Sequence, residues 1–592
     1  MTLRRGLGLV LALIGVAVLV SFTLLALVYL SVSRGPTVPR TASLVVRPGG
    51  DLPELAPDDV VGQFFEQESE SVRTLVESLR YAKDDTRITS VLLRPSSLDL
   101  PYWAKLQELR DAILDFRKSG KQVVAFLEFG GDREYYLATA ADHVYLMPSS
   151  PLDLTGVASY EIFLRGALDK LGVQPEFLHI GDYKTAPNQL TETEMTPAHR
   201  EMSESLNRDT YDHLVRAIAE SRKLTEDAVR ALMDRGPFVP SEAVKAGLVD
   251  GLAYEDELDD KVAVLREGDD AVDHVEVDDY RRSRGYGSSG FSLIGRPRVA
   301  VLYAVGTIVS GRGGFDATDG ALVGSDAFVE EIRRIKDDSS IRAVVLRIDS
   351  PGGSSVASDV IWRELTLLKQ DDPSRPLIVS MGDLAASGGY YIATPADEIV
   401  AQPSTLTGSI GIYVGKFALG QALAKVGVST QAVTSGKNAD IYSPFTAFTP
   451  DQRARVQEFM GDFYKGFVAK VAESRKKTAE EIDALAQGRV WTGAQARERG
   501  LVDRLGGLDA AILAAKERAG IDADTEVDVV VYPHRRTVYE ALSDQFGSAG
   551  AAGLWGTLMG RGPARAVATA TASGRLFRRG EPLALMPFTF VR

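Results

Sequence analysis

Two stretches of the chain, YYLATAADHVYLMP (Tyr135–Pro148) and YYIATPADEIVAQP (Tyr390–Pro403), are close copies of each other, 255 residues apart (390 − 135). Further along, the segment AESRK that begins at Ala219 recurs at Ala472, 253 residues later (472 − 219). A drift of only two residues over such a distance indicates one domain copied in tandem, and excludes a short-period solenoid.

Each copy predicts the same order of secondary structure. A β-rich run, ITSVLLRP at Ile88 and IRAVVLRI at Ile341, leads into a helical pattern, and a second strand and a second helix follow. Short apolar strands that alternate with helices are typical of βαβ units and of a mainly parallel sheet. The sequence therefore predicts an α/β protein with two tandem repeats.

Composition shifts predict the boundaries of the repeats. We place the first repeat at 41–265 and the second at 297–535. The stretch RRSRGYGSSGFSLIGRPR (Arg281–Arg298) is rich in Gly, Ser and Arg and predicts a linker, which we place at 266–296. The tail, 536–592, has weak periodicity, which predicts partial disorder.

The N-terminus predicts a membrane anchor. An apolar run without charges extends from Leu7 to Val32, and about 20 apolar residues suffice to span a bilayer. Two arginines precede the run and favour a cytoplasmic N-terminus. We predict a cytoplasmic tip and an uncleaved transmembrane helix over residues 1–34, with both repeats outside the cytoplasm. A cleaved signal peptide is the alternative, although its apolar region normally has only about 7–15 residues.

The composition excludes several classes of function. The chain of 592 residues has 81 acidic and 67 basic residues, a net charge of −14, which argues against a general nucleic-acid binder. It has no cysteine, so disulfides, thiolate nucleophiles and cysteine-ligated zinc are excluded. Its six histidines show no metal-ligand spacing, and we predict no metal site.

The two copies differ at a serine. At the 255-residue offset, Ser387 in the second copy's ASGGYY corresponds to Asp132 in the first copy's GDREYY. The Pro351–Gly353 loop, which follows another predicted strand, is also absent from the first copy. A serine at such a turn can simply cap the next helix. Because two Gly-rich features occur together in one copy only, we favour Ser387 as a nucleophile.

Glycines beside a nucleophilic serine have a chemical use. A serine that attacks a carbonyl needs backbone N–H donors aimed at the developing oxyanion. Glycine lets such donors approach without a side chain in the way. Gly352 or Gly353, together with Gly388 directly after the serine, are the candidates for this oxyanion hole.

A nucleophilic serine also needs a general base. A histidine base would be His534, near the far end of the second copy, or His143 or His179 from the first copy. A serine–lysine dyad is the alternative, with Lys184 in HIGDYKTAPNQ or Lys437 in TSGKNADIYSP. The residue types alone leave these bases open.

Four motifs carry a family resemblance: GDYK (Gly181–Lys184), DSPGG (Asp349–Gly353), AASGGYY (Ala385–Tyr391) and STLTGSIG (Ser404–Gly411). With them, the chain from its N-terminal run to about residue 535 resembles the signal peptide peptidase A family in its long, tandem-repeat bacterial form. The resemblance implies a ClpP/crotonase-like fold for each repeat. It also implies a membrane-anchored serine–lysine endopeptidase that needs no cofactor and degrades signal-peptide remnants.

The resemblance assigns the nucleophile to Ser387 and the general base to Lys184, one from each repeat. In single-repeat members the lysine lies in an SGxxKD-like stretch. Here that stretch is SGKNAD, in which Ala439 stands at the lysine position and Lys437 two residues earlier. This departure favours Lys184 and leaves Lys437 as the alternative base.

The resemblance further implies a homo-oligomer, a tetramer in the family pattern, anchored in the bacterial inner membrane with its repeats on the periplasmic side. The implied partners are peptides, above all cleaved signal peptides, with other membrane or unfolded envelope peptides as further substrates. The alternative function is a catalytically idle, membrane-tethered scaffold that binds hydrophobic segments, because the first copy already lacks the serine.

Overall fold

The computed structural model describes residues 36–55, 71–265, 273–284, 295–316, 320–533, 583–586 and 590–591, together with Thr23. Apart from Thr23, the predicted transmembrane run lies outside these residues, and so does His534. Within the described ranges, no helix is long and apolar enough to cross a membrane.

The first half of the chain forms an α/β unit. Its strands are β1 (Ala42–Val46), β2 (Gly49–Gly50), β3 (Ile88–Leu93), β4 (Ser96–Leu98), β5 (Gln122–Leu127), β6 (Gly130–Gly131), β7 (His143–Leu146), β8 (Leu152–Asp153), β9 (Ser159–Tyr160), β10 (Gln174–Ile180), β11 (Gly251–Leu252) and β12 (Asp273–Glu276). Its helices are α1 (Val72–Asp84), α2 (Ala104–Arg117), α3 (Asp132–Ala138), α4 (Arg165–Leu171), α5 (Asn188–Thr191), α6 (Pro197–Arg222), α7 (Glu226–Met233), α8 (Pro240–Lys245), α9 (Leu258–Leu265) and α10 (Val277–Ser283), with a 3₁₀ turn at Glu255–Glu257.

The second half repeats this plan. Its strands are β13 (Arg298–Val305), β14 (Thr307–Val309), β15 (Gly313–Asp316), β16 (Gly320–Gly324), β17 (Ile341–Ser350), β18 (Gly352–Ser354), β19 (Leu377–Ala386), β20 (Glu398–Ala401), β21 (Leu406–Gly408), β22 (Ile412–Ala418), β23 (Val490–Thr492), β24 (Arg504–Leu505), β25 (Asp528–Tyr532), β26 (Leu583–Leu585) and β27 (Phe590–Val591). Its helices are α11 (Ser325–Asp337), α12 (Ser355–Asp371), α13 (Gly388–Ala393), α14 (Gly420–Lys425), α15 (Pro450–Arg475), α16 (Ala479–Leu485), α17 (Gly493–Glu498) and α18 (Leu508–Arg518).

Each repeat is built on its own mainly parallel sheet. The first sheet has the order β11-β7-β5-β3-β1-β12, and every neighbouring pair is parallel. The main path of the second is β23-β21-β19-β17-β13-β25, with an antiparallel pair only at β21–β23. The prediction of an α/β fold with parallel sheets in two repeats is confirmed. Strand β12 and helix α10 lie within 266–296, the segment that the composition predicts to be a linker. Both pack on the first sheet.

The central strands are buried on both faces, as parallel strands covered by helices must be. In the second repeat, alternate side chains of β13 and β17 belong to two different apolar clusters on opposite sides of the sheet. This explains why these segments read as continuous apolar runs, such as AVVL, and not as alternating polar and apolar residues.

The longest helices of the two repeats begin and end alike. Thr196 caps α6 and Thr449 caps α15 through the side-chain oxygen, and a proline follows at the first helical position. Threonine satisfies a free N–H of the first turn, and proline has no N–H to leave unsatisfied. At the C-terminal end of each helix is a lysine whose backbone adopts the left-handed conformation, Lys223 in α6 and Lys476 in α15. The duplication thus extends to the capping of single helices.

A third sheet joins the two repeats. It has the order β10-β22-β26-β18-β14-β16-β15, so it contains one strand from the first repeat and one from the C-terminal segment. Strand β10 pairs antiparallel with β22 through seven residue pairs, from Gln174↔Ala418 to Ile180↔Ile412. This pairing carries the chain that follows β10 into the second repeat.

Buried ion pairs also connect the repeats. Arg347 on β17 is 1% exposed, and its Nη2 lies 2.8 Å from Glu54 Oε1 and 2.7 Å from Glu108 Oε2, both on the first repeat. Beside them, Lys105 Nζ on α2 lies 2.8 Å from Asp349 Oδ2 and 3.5 Å from Asp383 Oδ2.

The Lys105 contacts bear on the site. Asp349 lies at the end of β17, before the Pro351–Gly353 loop, and Asp383 lies on β19, four residues before Ser387. The backbone N–H of Lys105 also donates to Asp383 Oδ1 at 3.0 Å. The first repeat therefore holds both segments of the second repeat that approach the predicted nucleophile.

We predict that Arg347→Met lowers the free energy of unfolding by about 3–5 kcal/mol, because it leaves the carboxylates of Glu54 and Glu108 buried without their cation. Equilibrium urea unfolding measures this. The matched control is Arg455→Met, which removes a surface pair with Glu458 whose side chains are 65% and 64% exposed, and it should cost less than about 1 kcal/mol. Equal losses in the two variants would contradict the prediction.

Candidate active site

Ser387 lies at the sharp turn between β19 and α13. Its φ is +56° and its ψ −111°, a conformation that costs a non-glycine residue on the order of 1–3 kcal/mol. The turn is held by its backbone: the Ser387 N–H donates to the Gly408 carbonyl and its carbonyl accepts from the Tyr391 N–H, each at 2.8 Å. The side chain is fully buried. The small neighbours in AASGG therefore allow a strained strand-to-helix turn in the interior.

Lys184 reaches this turn from the first repeat. It follows β10, and a loop of the second repeat holds the intervening turn: Tyr183 N–H donates to the Gln487 carbonyl at 2.9 Å. Gly488, with φ +79°, packs directly on the lysine, and a Cβ there would lie 2.5 Å from the Lys184 Cα. Lys184 is 0% exposed. The second repeat thus encloses the whole residue.

The two side chains meet. Lys184 Nζ lies 2.8 Å from Ser387 Oγ, and it donates to Ser409 Oγ at 3.0 Å and to the Ser409 carbonyl at 3.2 Å. Burial lowers the pKa of the Lys184 ammonium well below its ordinary value. A neutral amine has two N–H bonds and one lone pair. With both N–H bonds directed to Ser409, the lone pair is left to accept the Ser387 proton.

Sequence reasoning missed Ser409. Like Ser387 it is fully buried and has a positive φ, +49°. The strand pairs Ala385↔Thr407 and Gly130↔Leu152 are 255 residues apart on each side, so the first-copy counterpart of Ser409 is Leu154. The comparison of copies that singled out Ser387 contained the same signal here.

Of the predicted oxyanion-hole glycines, Gly352 and Gly388 lie side by side. A Cβ on Gly352, which has φ +98°, would lie 2.6 Å from the Gly388 nitrogen and 2.1 Å from the Ala584 carbonyl oxygen. The Gly352 N–H itself donates to Ser350 Oγ at 3.2 Å. Gly353 pairs with Ile308 of β14. This geometry favours Gly388 over Gly352 as a donor to a carbonyl oxygen bound here.

A segment of the chain's own tail occupies the cleft beside Ser387, which we define as the space between β18 and β22. Strand β26 lies between β18 and β22. It pairs antiparallel with β18, in the register Gly352↔Leu585, Gly353↔Ala584, Ser354↔Leu583. Beyond it, the Met586 N–H donates to the Pro351 carbonyl at 2.9 Å. The cleft thus binds an extended peptide by main-chain pairing next to Ser387.

Alternate side chains of this segment enter different apolar surroundings, because successive side chains of a strand point to opposite faces. Leu583 and Leu585 pack in a cluster with Phe177, Leu190 and Tyr413. Met586 packs in another cluster with Met202, Ala386, Leu406 and Val490. Both clusters combine residues of the two repeats, so the lining of the cleft is completed only when the repeats are joined.

Two segments of the chain, 115–268 and 369–522, match the sequence profile of peptidase family S49. The chain belongs to peptidase family S49. Its two matched segments fall one in each repeat, as the duplication requires, and family membership makes the protein a serine peptidase.

Relatives that are named as proteases match this chain over most of its length. It is 33% identical to "Serine protease SPPA, chloroplastic" from Arabidopsis thaliana over 464 residues, which cover 78% of this chain and 67% of the relative. It is 33% identical to "Protease 4" from Salmonella typhi over 461 residues, 76% of this chain and 72% of the relative. "Protease 4" from Haemophilus influenzae is 29% identical over 466 residues, 76% and 74% of the two chains.

The alternative bases of this S49 peptidase that the structure describes are Lys437, His179 and His143, and they lie elsewhere. The Lys437 side chain is 76% exposed and forms a surface ion pair with Asp451 at 2.8 Å, which raises the lysine pKa. His179 is exposed, with Nδ1 3.0 Å from the Gly181 carbonyl oxygen, and His143 lies in β7 of the first sheet. Within the chain, the structure brings Lys184 to Ser387 and leaves Lys437 at the surface.

The first repeat has no such pair at the equivalent turn. Asp132 there accepts hydrogen bonds from the backbone N–H groups of Thr155, at 3.2 Å, and Gly156, at 3.1 Å. Burial raises the pKa of Asp132 to about 6. The carboxylate thus bonds to the neighbouring loop, which accounts structurally for the difference between the copies.

Proposed function

We propose that this S49 peptidase is a membrane-anchored endopeptidase that uses a Ser387–Lys184 dyad to degrade signal-peptide remnants. The observation that carries the proposal is the 2.8 Å contact between Lys184 Nζ and Ser387 Oγ, both fully buried. Burial lowers the pKa of the Lys184 ammonium well below its ordinary value, which favours the neutral amine that can act as a general base.

The proposed reaction has two stages. Lys184 takes the proton of Ser387 while Oγ attacks the peptide carbonyl, and backbone N–H groups at Gly388 and the Gly352–Gly353 loop stabilise the oxyanion. The lysine ammonium then gives this proton to the leaving amine, and an acyl-enzyme remains. A water molecule, activated by the same lysine, hydrolyses the ester and restores the serine.

Extended apolar peptides are the proposed substrates. The cleft already accepts the segment Leu583–Met586 of this chain, whose large side chains are apolar. Apolar residues also dominate the central region of signal peptides.

The proposed membrane anchoring rests on the uncharged run Leu7–Val32. We propose that the repeats lie on the periplasmic side of the inner membrane and that each has a crotonase-like architecture. We further propose a homo-oligomer, which is a tetramer in the family pattern.

Two experiments test this function. A fluorophosphonate probe, which reacts with activated serines, should label the purified full chain in detergent at Ser387, as mapped by mass spectrometry of the labelled peptide. Incubation with a panel of signal peptides and unfolded proteins should then yield defined fragments, with the apolar signal peptides cut fastest. A catalytically idle scaffold would bind these peptides and give neither label nor fragments.

We predict that removing residues 583–592 lowers KM for a short apolar peptide, because the segment then no longer fills the cleft. If the segment occupies the cleft about 90% of the time, the apparent affinity rises about tenfold, in proportion to the open fraction. Steady-state kinetics measure this. A second variant keeps the full length and carries Leu583→Asp and Leu585→Asp, which expel the segment from its apolar cluster. It should lower KM in the same way. An unchanged KM in both variants would contradict the prediction.

A further inference from the structure

The strand that leads into the nucleophile turn, β19, is irregular. Its pairing with β17 is regular up to Ile348↔Met381 and resumes at Ser350↔Ala385, so one residue of β17 faces three of β19, Gly382–Leu384. Such a bulge bends the strand that carries it, and bulges are common next to active sites, where they re-aim a side chain.

The bulge lies where β19 changes its partner. Before the bulge β19 pairs with β20, and after it with β21. The last pair with β21 is Ala386↔Gly408, and the next residues of the two strands are Ser387 and Ser409. Both of these serines contact Lys184 Nζ. The shape of the bulge therefore determines how the two hydroxyls are presented to the lysine.

The equivalent strands of the first repeat, β3 and β5, pair over four consecutive positions without a shift. Asp349, which faces the bulge, corresponds there to Ser96 (349 − 253), and Asp383 within the bulge corresponds to Glu128 (383 − 255). The Glu128 side chain is 55% exposed, whereas that of Asp383 is 3% exposed. In the described part of the chain, the bulge with its two acidic residues belongs to the repeat that carries the serine.

Lys105 of the first repeat connects the two sides of the bulge. Its Nζ lies 2.8 Å from Asp349 Oδ2 and 3.5 Å from Asp383 Oδ2, and its backbone N–H donates to Asp383 Oδ1 at 3.0 Å. The other carboxylate oxygen of Asp349 accepts the Leu384 N–H at 3.0 Å. One lysine thus joins the end of β17 to the residues that β19 inserts.

Lys105 differs in charge from Lys184, although both are buried and both come from the first repeat. Burial lowers the pKa of either lysine. Lys184 donates to the hydroxyl and carbonyl oxygens of Ser409, whereas Lys105 faces two carboxylates, which outweigh burial and raise its pKa above the ordinary value. The first repeat thus gives the site one lysine as a neutral base and another as a permanent cation.

We infer that Lys105 is a positioning residue for Ser387, which fixes the bulge of β19 and, through it, the direction from which the serine Oγ meets the substrate carbonyl. The inference rests on the proposed role of Ser387 as the nucleophile. Lys105 acts through Asp349 and Asp383, the carboxylates that its nitrogens contact. A reacting group that is misplaced by about 1 Å can lower a rate by on the order of 100-fold.

Peptide binding depends on a different strand. The extended segment in the cleft pairs with β18, from Gly352↔Leu585 to Ser354↔Leu583, and β14 supports the other edge of β18. A change in the bulge of β19 therefore lowers the rate of the chemical step more than it weakens the binding of the peptide. Loss of Lys105 should separate kcat from KM.

Lys105→Met tests the inference, because methionine has a similar length and no charge. In the full chain in detergent, kcat for a fluorogenic apolar peptide should fall about 10–100-fold, while KM stays within about twofold of the wild type. The rate is expressed per serine labelled by a fluorophosphonate probe after complete reaction, so that unfolded protein is not counted. The rate of labelling should fall in the same proportion as kcat.

The matched control is Arg110→Met, on the same helix. Arg110 is 6% exposed and Lys105 is 9% exposed, and the Arg110 guanidinium donates to the Tyr136 carbonyl and to Thr139 Oγ1, both in the first repeat. Its loss should destabilise the first repeat and leave kcat per labelled serine unchanged. Equal losses of kcat in the two variants, or no loss in either, would overturn the inference.

A second variant covers the case in which Lys105→Met does not fold, since it leaves two buried carboxylates without their cation. Lys105→Met combined with Asp383→Asn restores the net charge of the cluster, because one cation and one carboxylate are removed together. It still lacks the bridge to Asp349, so its kcat should stay low. A wild-type kcat in this double variant would mean that the net charge matters and the bridge does not, and the inference would be wrong.

Hydrogen exchange gives a readout that does not need catalysis. The Leu384 N–H is bonded to Asp349, so peptides that cover 381–387 should exchange faster in Lys105→Met, and not in Arg110→Met, as measured by mass spectrometry. Unchanged exchange in Lys105→Met would contradict the bulge as the link to Ser387. If the wild type itself neither labels nor hydrolyses peptides, the proposed function fails, and the exchange data alone decide whether Lys105 holds the bulge.

Discussion

Ser387→Ala abolishes peptide hydrolysis, with kcat lowered by about 10⁴-fold or more, because the covalent intermediate can no longer form. Alanine is smaller and apolar, and the chain neighbours of Ser387 are already alanines and glycines, so the fold should persist. Steady-state assays on a fluorogenic apolar peptide measure the loss, and circular dichroism checks the fold.

The matched control for this loss is Ser43→Ala. Ser43 is also fully buried on a sheet strand, and its hydroxyl has no hydrogen-bond partner among the described residues. It lies in β1 of the first repeat and should keep wild-type kcat. Substantial turnover by a folded Ser387→Ala variant, free of contaminating peptidase, would remove Ser387 from the mechanism.

Lys184→Met should also reduce kcat by several orders of magnitude, and it should at the same time stabilise the protein. The activity falls because methionine has no lone pair that can take the serine proton. The stability rises because burial lowers the pKa of Lys184 well below its ordinary value. The free lysine of the unfolded chain, with its pKa near 10.5, binds a proton that the folded state does not hold.

The pH dependence follows from this difference in bound protons. Between the lowered pKa of the folded state and 10.5, the unfolded chain binds more protons, so the free energy of unfolding rises with pH in this window. Lys184→Met should flatten this rise, and its stabilising effect should be largest at low pH. Wild-type kcat/KM should rise with pH through the same lowered pKa, as the lysine becomes neutral.

Urea unfolding and pH–rate profiles measure both effects, with Lys437→Met as the control. Lys437 is exposed and paired with Asp451, so its loss should change neither activity nor stability by much. An active Lys184→Met together with an inactive Lys437→Met would mean that the dyad forms inside the second repeat, contrary to the proposal.

Internal comparison of the copies explains how much of the site could be predicted. Ser387 stood out because its counterpart Asp132 has different chemistry at a position where the surrounding residues match. Ser409 also differs in chemistry from its first-copy counterpart, Leu154. A serine in a Gly-rich stretch has many structural uses, however, and only the 3.0 Å contact with Lys184 distinguishes a role in the site from these uses. The choice between Lys184 and Lys437 could not come from the residue types, since each lies within three residues after a glycine in a polar segment.

The sequence by itself determined the duplication, the α/β class and the repeat that holds the serine, because these depend on local periodicity and on differences between two copies of one pattern. The tertiary structure decided which lysine meets Ser387, since the low pKa of Lys184 needs burial by Gln487 and Gly488 of the other repeat. It also decided that Leu583–Leu585 lies against Gly352–Ser354. Such contacts join segments more than two hundred residues apart, and pairing between distant strands leaves no local signature in either segment.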